Sequence, residues 1–187
     1  MTGTFEKQKK GFLSKRDFSR KGSIDEAILP LLKAINSKPD YYSTSSCAGR
    51  IQLIAKPDLK HRTSQLFVSH NPAKATDIMS ACRNLPDEEV WFRQEGFIMH
   101  VCCRDLMAAD RLLKETRRIF KRAGIISLRK GFVIETMSTE LIDTIIAAGG
   151  KLLVTQEYLR ILTSLANNKI RNNKKRIRKL KKIISAL

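Results

Sequence analysis

No apolar run in the sequence approaches the ~18–20 residues a helix needs to cross a bilayer, so no membrane span is expected. The stretch from Met1 to Lys10 is polar and lysine-bearing, with no apolar segment behind it, and does not read as a secretory leader. A soluble, cytoplasmic protein is the expectation. No glycine spacing gives GxGxxG, so a Rossmann-type cofactor cradle is not indicated. Cys47, Cys82, Cys102 and Cys103 form no CxxC pair, and His61, His70 and His100 lack zinc-ligand spacing, so no metal site is expected. Adjacent Cys102 and Cys103 should point to opposite faces of a strand, which suits buried, reduced thiols.

Acidic residues are also scarce. The 187 residues carry 36 Lys and Arg against 18 Asp and Glu, a net charge of +18. The excess sits at the ends: +9 from Lys169 onward, where no acid occurs, +5 in residues 1–22, and only +4 in all the rest. Charge placed this way suits contact with a polyanion better than even solubilisation. At 42% hydrophobic, the chain can bury one core, and a single domain over 1–187 is expected, with a basic segment 1–22 and a basic tail 167–187.

Ser23-Ile24-Asp25-Glu26 is a capping-box pattern opening a helix with Ala27, Ile28, Leu31, Leu32 and Ile35 inward, which Pro30 should kink or split. Strands are expected at Tyr41–Ser46, Ile51–Ala55 and Gln65–His70, with Cys47-Ala48-Gly49 as a turn. Asn71-Pro72 should open a helix using Ile78, Met79 and Cys82. Val90–Phe92 and Phe97–Cys103 read as paired strands about Glu95-Gly96. Asp105 caps a helix facing Leu106, Ala109, Leu112, Leu113 and Phe120 inward. Hairpins are expected about Arg129-Lys130-Gly131 and Gly149-Gly150.

Thr155 should cap a final helix of ~30 residues, ~45 Å long, with Leu159, Leu162, Ala166, Ile170, Ile177, Leu180 and Ile184 in one seam. Its end is expected to project, to lie along RNA or to meet a second copy in a homodimer. The fold class is α+β, with mixed or antiparallel sheets, packed helices and a long C-terminal helix, and is not Rossmann. The order is compatible with duplicated strand-strand-strand-helix units, although no sequence repeat marks them.

Ser43 to Arg50 is the segment richest in chemistry. Its hydroxyls and exposed amides can face a carboxylate or phosphate, and Arg50 adds a planar fork. On the residues alone, a serine-rich turn beside a surface arginine is the plainer reading. Trp91, Phe92 and Phe97 are candidate stacking surfaces for a base, though strand aromatics more often serve a core.

Five stretches, in order, resemble the tRNA wybutosine-synthesising protein 3 family. They are Asp17–Glu26, Ser43–Ile51, Glu95–Val101 with Cys103-Arg104, Gly150–Tyr158, and Asn172–Ile177, so the resemblance spans about residues 13 to 180. Departures from the family pattern are Gly96 for a proline, Met137 for an arginine, Glu140 for a histidine, and the altered stretch from Ile119 to Ile125.

The resemblance implies methyl transfer from S-adenosylmethionine to N4 of a demethylwyosine-type base. That base lies 3′ of the anticodon in the anticodon stem-loop of phenylalanine tRNA. It turns Ser45, Ser46, Gly49 and Arg50 into candidates for cofactor binding. Methylating a nitrogen lone pair needs positioning and a proton acceptor rather than an enzyme nucleophile, so Cys47 reads as a packing residue. His100, His70 and Asp25 are candidates to take the proton. Arg20, Lys21, Trp91, Lys174, Lys175 and Arg176 are candidates to hold RNA, the cations through phosphates. The alternatives are a non-catalytic basic RNA-binding protein and, more remotely, a hydrolase using Cys47.

Overall fold

The computed structural model describes residues 2–14, 25–55, 64–128 and 131–187. In chain order the elements are α1 (Thr2–Leu13), α2 (Leu29–Asn36), β1 (Tyr41–Cys47), β2 (Arg50–Ala55), β3 (Ser64–Ser69), α3 (Ala75–Ala81), β4 (Val90–Glu95), β5 (Ile98–Cys103), α4 (Leu106–Arg117), β6 (Arg122–Ser127), β7 (Phe132–Met137), β8 (Ile142–Ala148), β9 (Lys151–Leu152) and α5 (Gln156–Ala186). All described strand pairs are antiparallel. The α+β class with a long C-terminal helix is therefore what the chain adopts.

Two compact units emerge, each assembled from separated stretches. The first takes Met1–Ala48, Phe97–Thr139 and Lys174–Leu187; the second takes Gly49–Gly96 and Glu140–Asn173. The chain changes sheet between β1 and β2, between β4 and β5, and between β7 and β8. The expected pairing of Val90–Phe92 with Phe97–Cys103 does not occur, because β4 and β5 belong to separate sheets.

In the first unit the sheet order is β1-β5-β7-β6. Strand β5 alternates as a strand must: Met99, Val101 and Cys103 face a core shared with Ile28, Leu31 and Ile35 of the α2 segment and Ala108, Ala109 and Leu112 of α4. On the other face, Cys102 packs with Tyr42 and Phe5. The two cysteines do take opposite faces, and both are buried and free. Asp105 caps α4 as expected, its carboxylate accepting the Ala108 N–H at 2.7 Å. Pro30 neither kinks nor splits α2, because the helix starts at Leu29 and places the ring in the first turn, where a missing N–H breaks no bond. Ser23 of the expected capping box lies outside the described residues.

In the second unit the order is β3-β2-β4-β8-β9. Ile51, Leu53 and Ala55 of β2 and Val90 and Phe92 of β4 form its core with Ile78, Ile146 and Ala147. The helix expected from Asn71-Pro72 opens later, at Ala75 with Lys74 as its cap, since the Asn71 N–H and carbonyl bond the Ser69 hydroxyl in a local turn. Gly149 and Gly150 have φ of 58° and 69°, the two left-handed positions of a tight hairpin between β8 and β9. Likewise β6 and β7 pair about Gly131 (φ 119°), whose neighbours Arg129 and Lys130 lie outside the described residues.

Helix α5 starts on Thr155, whose hydroxyl accepts the Tyr158 N–H at 3.1 Å. Its seam is divided between the cores. Leu159, Leu162, Ala166 and Ile170 belong to the second unit, and Ile177, Leu180 and Ile184 to the first. The last turns were expected to project; they are docked instead, with Ile177, Leu180 and Ile184 at most 1% exposed. Asn173, the polar break in the seam, is buried as well. The seam read from the sequence is therefore buried in the chain's own cores.

Candidate functional site

In the first unit, the register aligns Ser45 of β1, His100 of β5 and Glu135 of β7 as one cross-strand row. Directly opposed residues share a face, so these three side chains emerge together on the side away from the α2 and α4 core. His100 Nε2 lies 2.8 Å from a Glu135 carboxylate oxygen. A carboxylate accepts and does not donate, so Nε2 carries the hydrogen, and in the neutral ring Nδ1 then presents the lone pair. Nothing in the sequence motifs marked Glu135. Its signal was cross-strand register, which joins positions 35 apart.

Ser46 is opposed to Met99, which faces the core, so Ser45 and Ser46 emerge on opposite faces of β1. The two hydroxyls cannot serve a ligand on the same face. Ser43 is engaged structurally: its N–H donates to Asn36 Oδ1 at 2.8 Å. Asp25 is buried, and its carboxylate accepts the Ala48 N–H at 3.0 Å, pinning the turn that follows β1. Cys47 is half-buried at the end of β1.

In the second unit, Arg50 opens β2 opposite Glu95 at the end of β4. Arg50 Nε donates to Glu95 Oε2 at 2.5 Å, while Glu95 Oε1 accepts Gln52 Nε2 at 2.8 Å, and Gln52 Oε1 accepts Gln65 Nε2 at 3.0 Å. Both carboxylate oxygens are thereby held, and the guanidinium is oriented from one edge. Gly49 is required at this corner. Its φ is 102°, and a Cβ there would lie 2.7 Å from the Glu95 carbonyl oxygen. The sequence singled out Gly49 and Arg50 but not the Glu95–Gln52–Gln65 chain that fixes them.

His70 is half-buried just past β3. Trp91 sits on the same face of its sheet as Arg50, with the Arg93 guanidinium 5.5 Å from its ring centroid and its indole N–H donating to Glu89 at 3.3 Å. Phe92 and Phe97, considered as base-stacking surfaces, are core residues at most 1% exposed; Phe97 stacks on Phe120 at 4.5 Å.

Of the RNA-binding candidates, Arg20 and Lys21 lie outside the described residues. Lys175 is exposed and Lys174 half-buried. Arg176 turns inward, donating to the Ile119 carbonyl at 2.5 Å and lying 4.5 Å from the centre of the Phe120 ring. It anchors α5 to its own unit. Three of the thiols are unsuited to nucleophilic work: burial raises Cys82 and Cys102, and burial first, then nearby Cys102, Asp105 and Asp40, pushes Cys103 up to about 12.

Residues 7–186 match the family described as methyltransferase TYW3. A relative from Pyrococcus abyssi named tRNA(Phe) 7-((3-amino-3-carboxypropyl)-4-demethylwyosine(37)-N(4))-methyltransferase 1 is 32% identical, over 100% of this chain and 98% of that protein. The tRNA wybutosine-synthesizing protein 3 homolog of Mus musculus is 36% identical over 92% of this chain and 70% of that protein. Among solved structures, the PH1069 protein from Pyrococcus horikoshii aligns with a TM-score of 0.90 at 32% identity, covering 100% of this chain and 98% of that one.

Proposed function

The chain belongs to the methyltransferase TYW3 family, and from that membership we propose that it methylates N4 of the 7-(3-amino-3-carboxypropyl)-4-demethylwyosine base at position 37 of phenylalanine tRNA, with S-adenosylmethionine as donor. The observation that carries this reading is similarity along nearly the whole chain to relatives named for that activity. The anticodon stem-loop is the part of the tRNA that the enzyme must engage.

The donor set of the second unit fits such a cofactor. An amino-acid end carries a carboxylate and an ammonium, and Arg50 beside Glu95 offers one group of each complementary charge. When bound, S-adenosylmethionine supplies a methyl carbon activated by the sulfonium. Arg50, oriented by Glu95 and Gln52, is assigned to hold the donor's carboxylate. Gly49 keeps the backbone close enough for that pair to form. Ser45 and Ser46 belong to the first unit and are not assigned to this set. His70 is left without a role.

His100 is the proposed proton acceptor. The methylated nitrogen gives up a proton, and Nδ1 of a ring whose Nε2–H is fixed by Glu135 can take it. No covalent enzyme intermediate is needed, because the nitrogen lone pair is itself the nucleophile.

The test uses phenylalanine tRNA carrying the demethyl tricycle. Incubation with the protein and S-adenosylmethionine should add one methyl group to that nucleoside, read by mass spectrometry. A tRNA that binds tightly yet gains no methyl group would overturn the enzymatic reading in favour of a non-catalytic RNA-binding protein.

A further inference from the structure

The docked end of α5 carries cations that the fold does not use. Lys175, Arg178, Lys179 and Lys182 are exposed, and none has an ion-pair partner among the described residues. At ~100° per residue these four positions fall within an arc of ~100° on the helix, centred opposite the buried seam of Ile177, Leu180 and Ile184. The seam holds the helix in place, so the cations form a fixed stripe about 10 Å long. No acid occurs from Lys169 to Leu187 to neutralise it.

Resting on the tRNA-methyltransferase reading above, we propose that Lys175, Arg178, Lys179 and Lys182 form a docking surface for the phosphodiester backbone of the tRNA. A rigid row of unpaired cations matches the regular charge of a structured RNA and positions it without reading sequence. A lipid surface fits less well. An interfacial helix must expose an apolar face beside its cations, and here Ile177, Leu180 and Ile184 are buried in the core, leaving half-buried Ile183 and terminal Leu187, 40% exposed, as the large apolar side chains of 174–187 outside it. Arg176 belongs to the anchor, and the stripe lies on the opposite flank.

The experiment compares the full chain with its Lys175→Gln/Arg178→Gln/Lys179→Gln/Lys182→Gln variant, and with a charge-retaining Lys175→Arg/Lys179→Arg/Lys182→Arg variant. Affinity for a phenylalanine tRNA transcript is followed by fluorescence anisotropy across a salt series. The neutralised variant should bind about 10–100-fold more weakly at ~0.1 M salt, with a log–log salt slope lower by roughly 3, while the charge-retaining variant keeps both.

Unchanged affinity and slope in the neutralised variant would overturn the proposal. Should that variant not fold by circular dichroism, the Lys175→Gln/Lys182→Gln and Arg178→Gln/Lys179→Gln pairs should each lower the slope by about 1–2, and flat slopes in both would overturn it equally. Phosphatidylserine vesicles form a second arm, and vesicle binding as strong as tRNA binding, lost in the same variant, would reassign the stripe to lipid. Methyl transfer by the unaltered chain is scored separately. Loss of tRNA affinity without any methyl transfer supports the stripe while removing the enzymatic reading, and the reverse pattern removes the stripe alone.

Discussion

His100 and Glu135 stand opposite one another on neighbouring strands, and the pairing fixes which ring nitrogen holds the hydrogen. If Nδ1 takes the proton, His100→Gln should lower kcat about 100-fold with KM for tRNA nearly unchanged. Glu135→Gln, which keeps the shape but loosens the tautomer, should lower kcat roughly ten-fold with the same KM. Steady-state methylation assays read both, and a change confined to KM would point to binding instead. A different residue-level consequence comes from burial. Cys103 is raised from 9.0 to about 12, and Tyr42 and Cys102 are raised as well, chiefly by burial. The folded chain keeps protons that the unfolded chain gives up, so this contribution is whole below about pH 9 and lost as pH rises toward 12. The thermal midpoint should fall as pH rises from about 9 toward 12, and Cys103→Ala should lower it at pH 8 while flattening the alkaline decline. At this scale the sequence pointed to His100 and Arg50 but to neither acid that orients them. Glu135 and Glu95 became partners only through strand pairing across 35 and 45 positions, and no local spacing encodes that.

Single elements were legible where their signals are local. Asp105 and Thr155 announce their helices because a cap acts within three residues. Gly149-Gly150 announces its hairpin because both φ values must be positive. What remained hidden was which strands share a sheet. Ile51–Ala55 and Ile98–Cys103 are apolar, strand-like runs in either unit, and a two-residue turn between Glu95 and Ile98 reads as a hairpin even though the chain changes sheet there. The seam of α5 was visible too, but Ile177, Leu180 and Ile184 show the same spacing whether they meet a partner or their own core. Leu180→Ala decides this in solution. A residue at 0% exposure in a packed core should lose about 2–5 kcal/mol of stability on truncation, measured by urea unfolding, whereas a projecting helix would lose a few tenths.

Across the molecule, charge and connectivity carry separate lessons. The concentration of positive charge at the ends was plain in the sequence, and structure sorted the C-terminal share into an anchor, Arg176, and an outward stripe. The division into units could not be read, because each is woven from stretches that the sequence separates by 34 to 48 residues. That weave governs how the protein can be made. Residues 174–187 complete the core begun by residues 25–48, so the earliest part of the chain emerges from the ribosome with its packing partner still unsynthesised. Neither unit can close as an independent module during translation, since Gly49–Gly96 likewise waits for Glu140–Asn173. Translation halted before Lys174 therefore leaves the first unit's core uncovered, with exposed apolar surface that chaperones must hold or proteases remove.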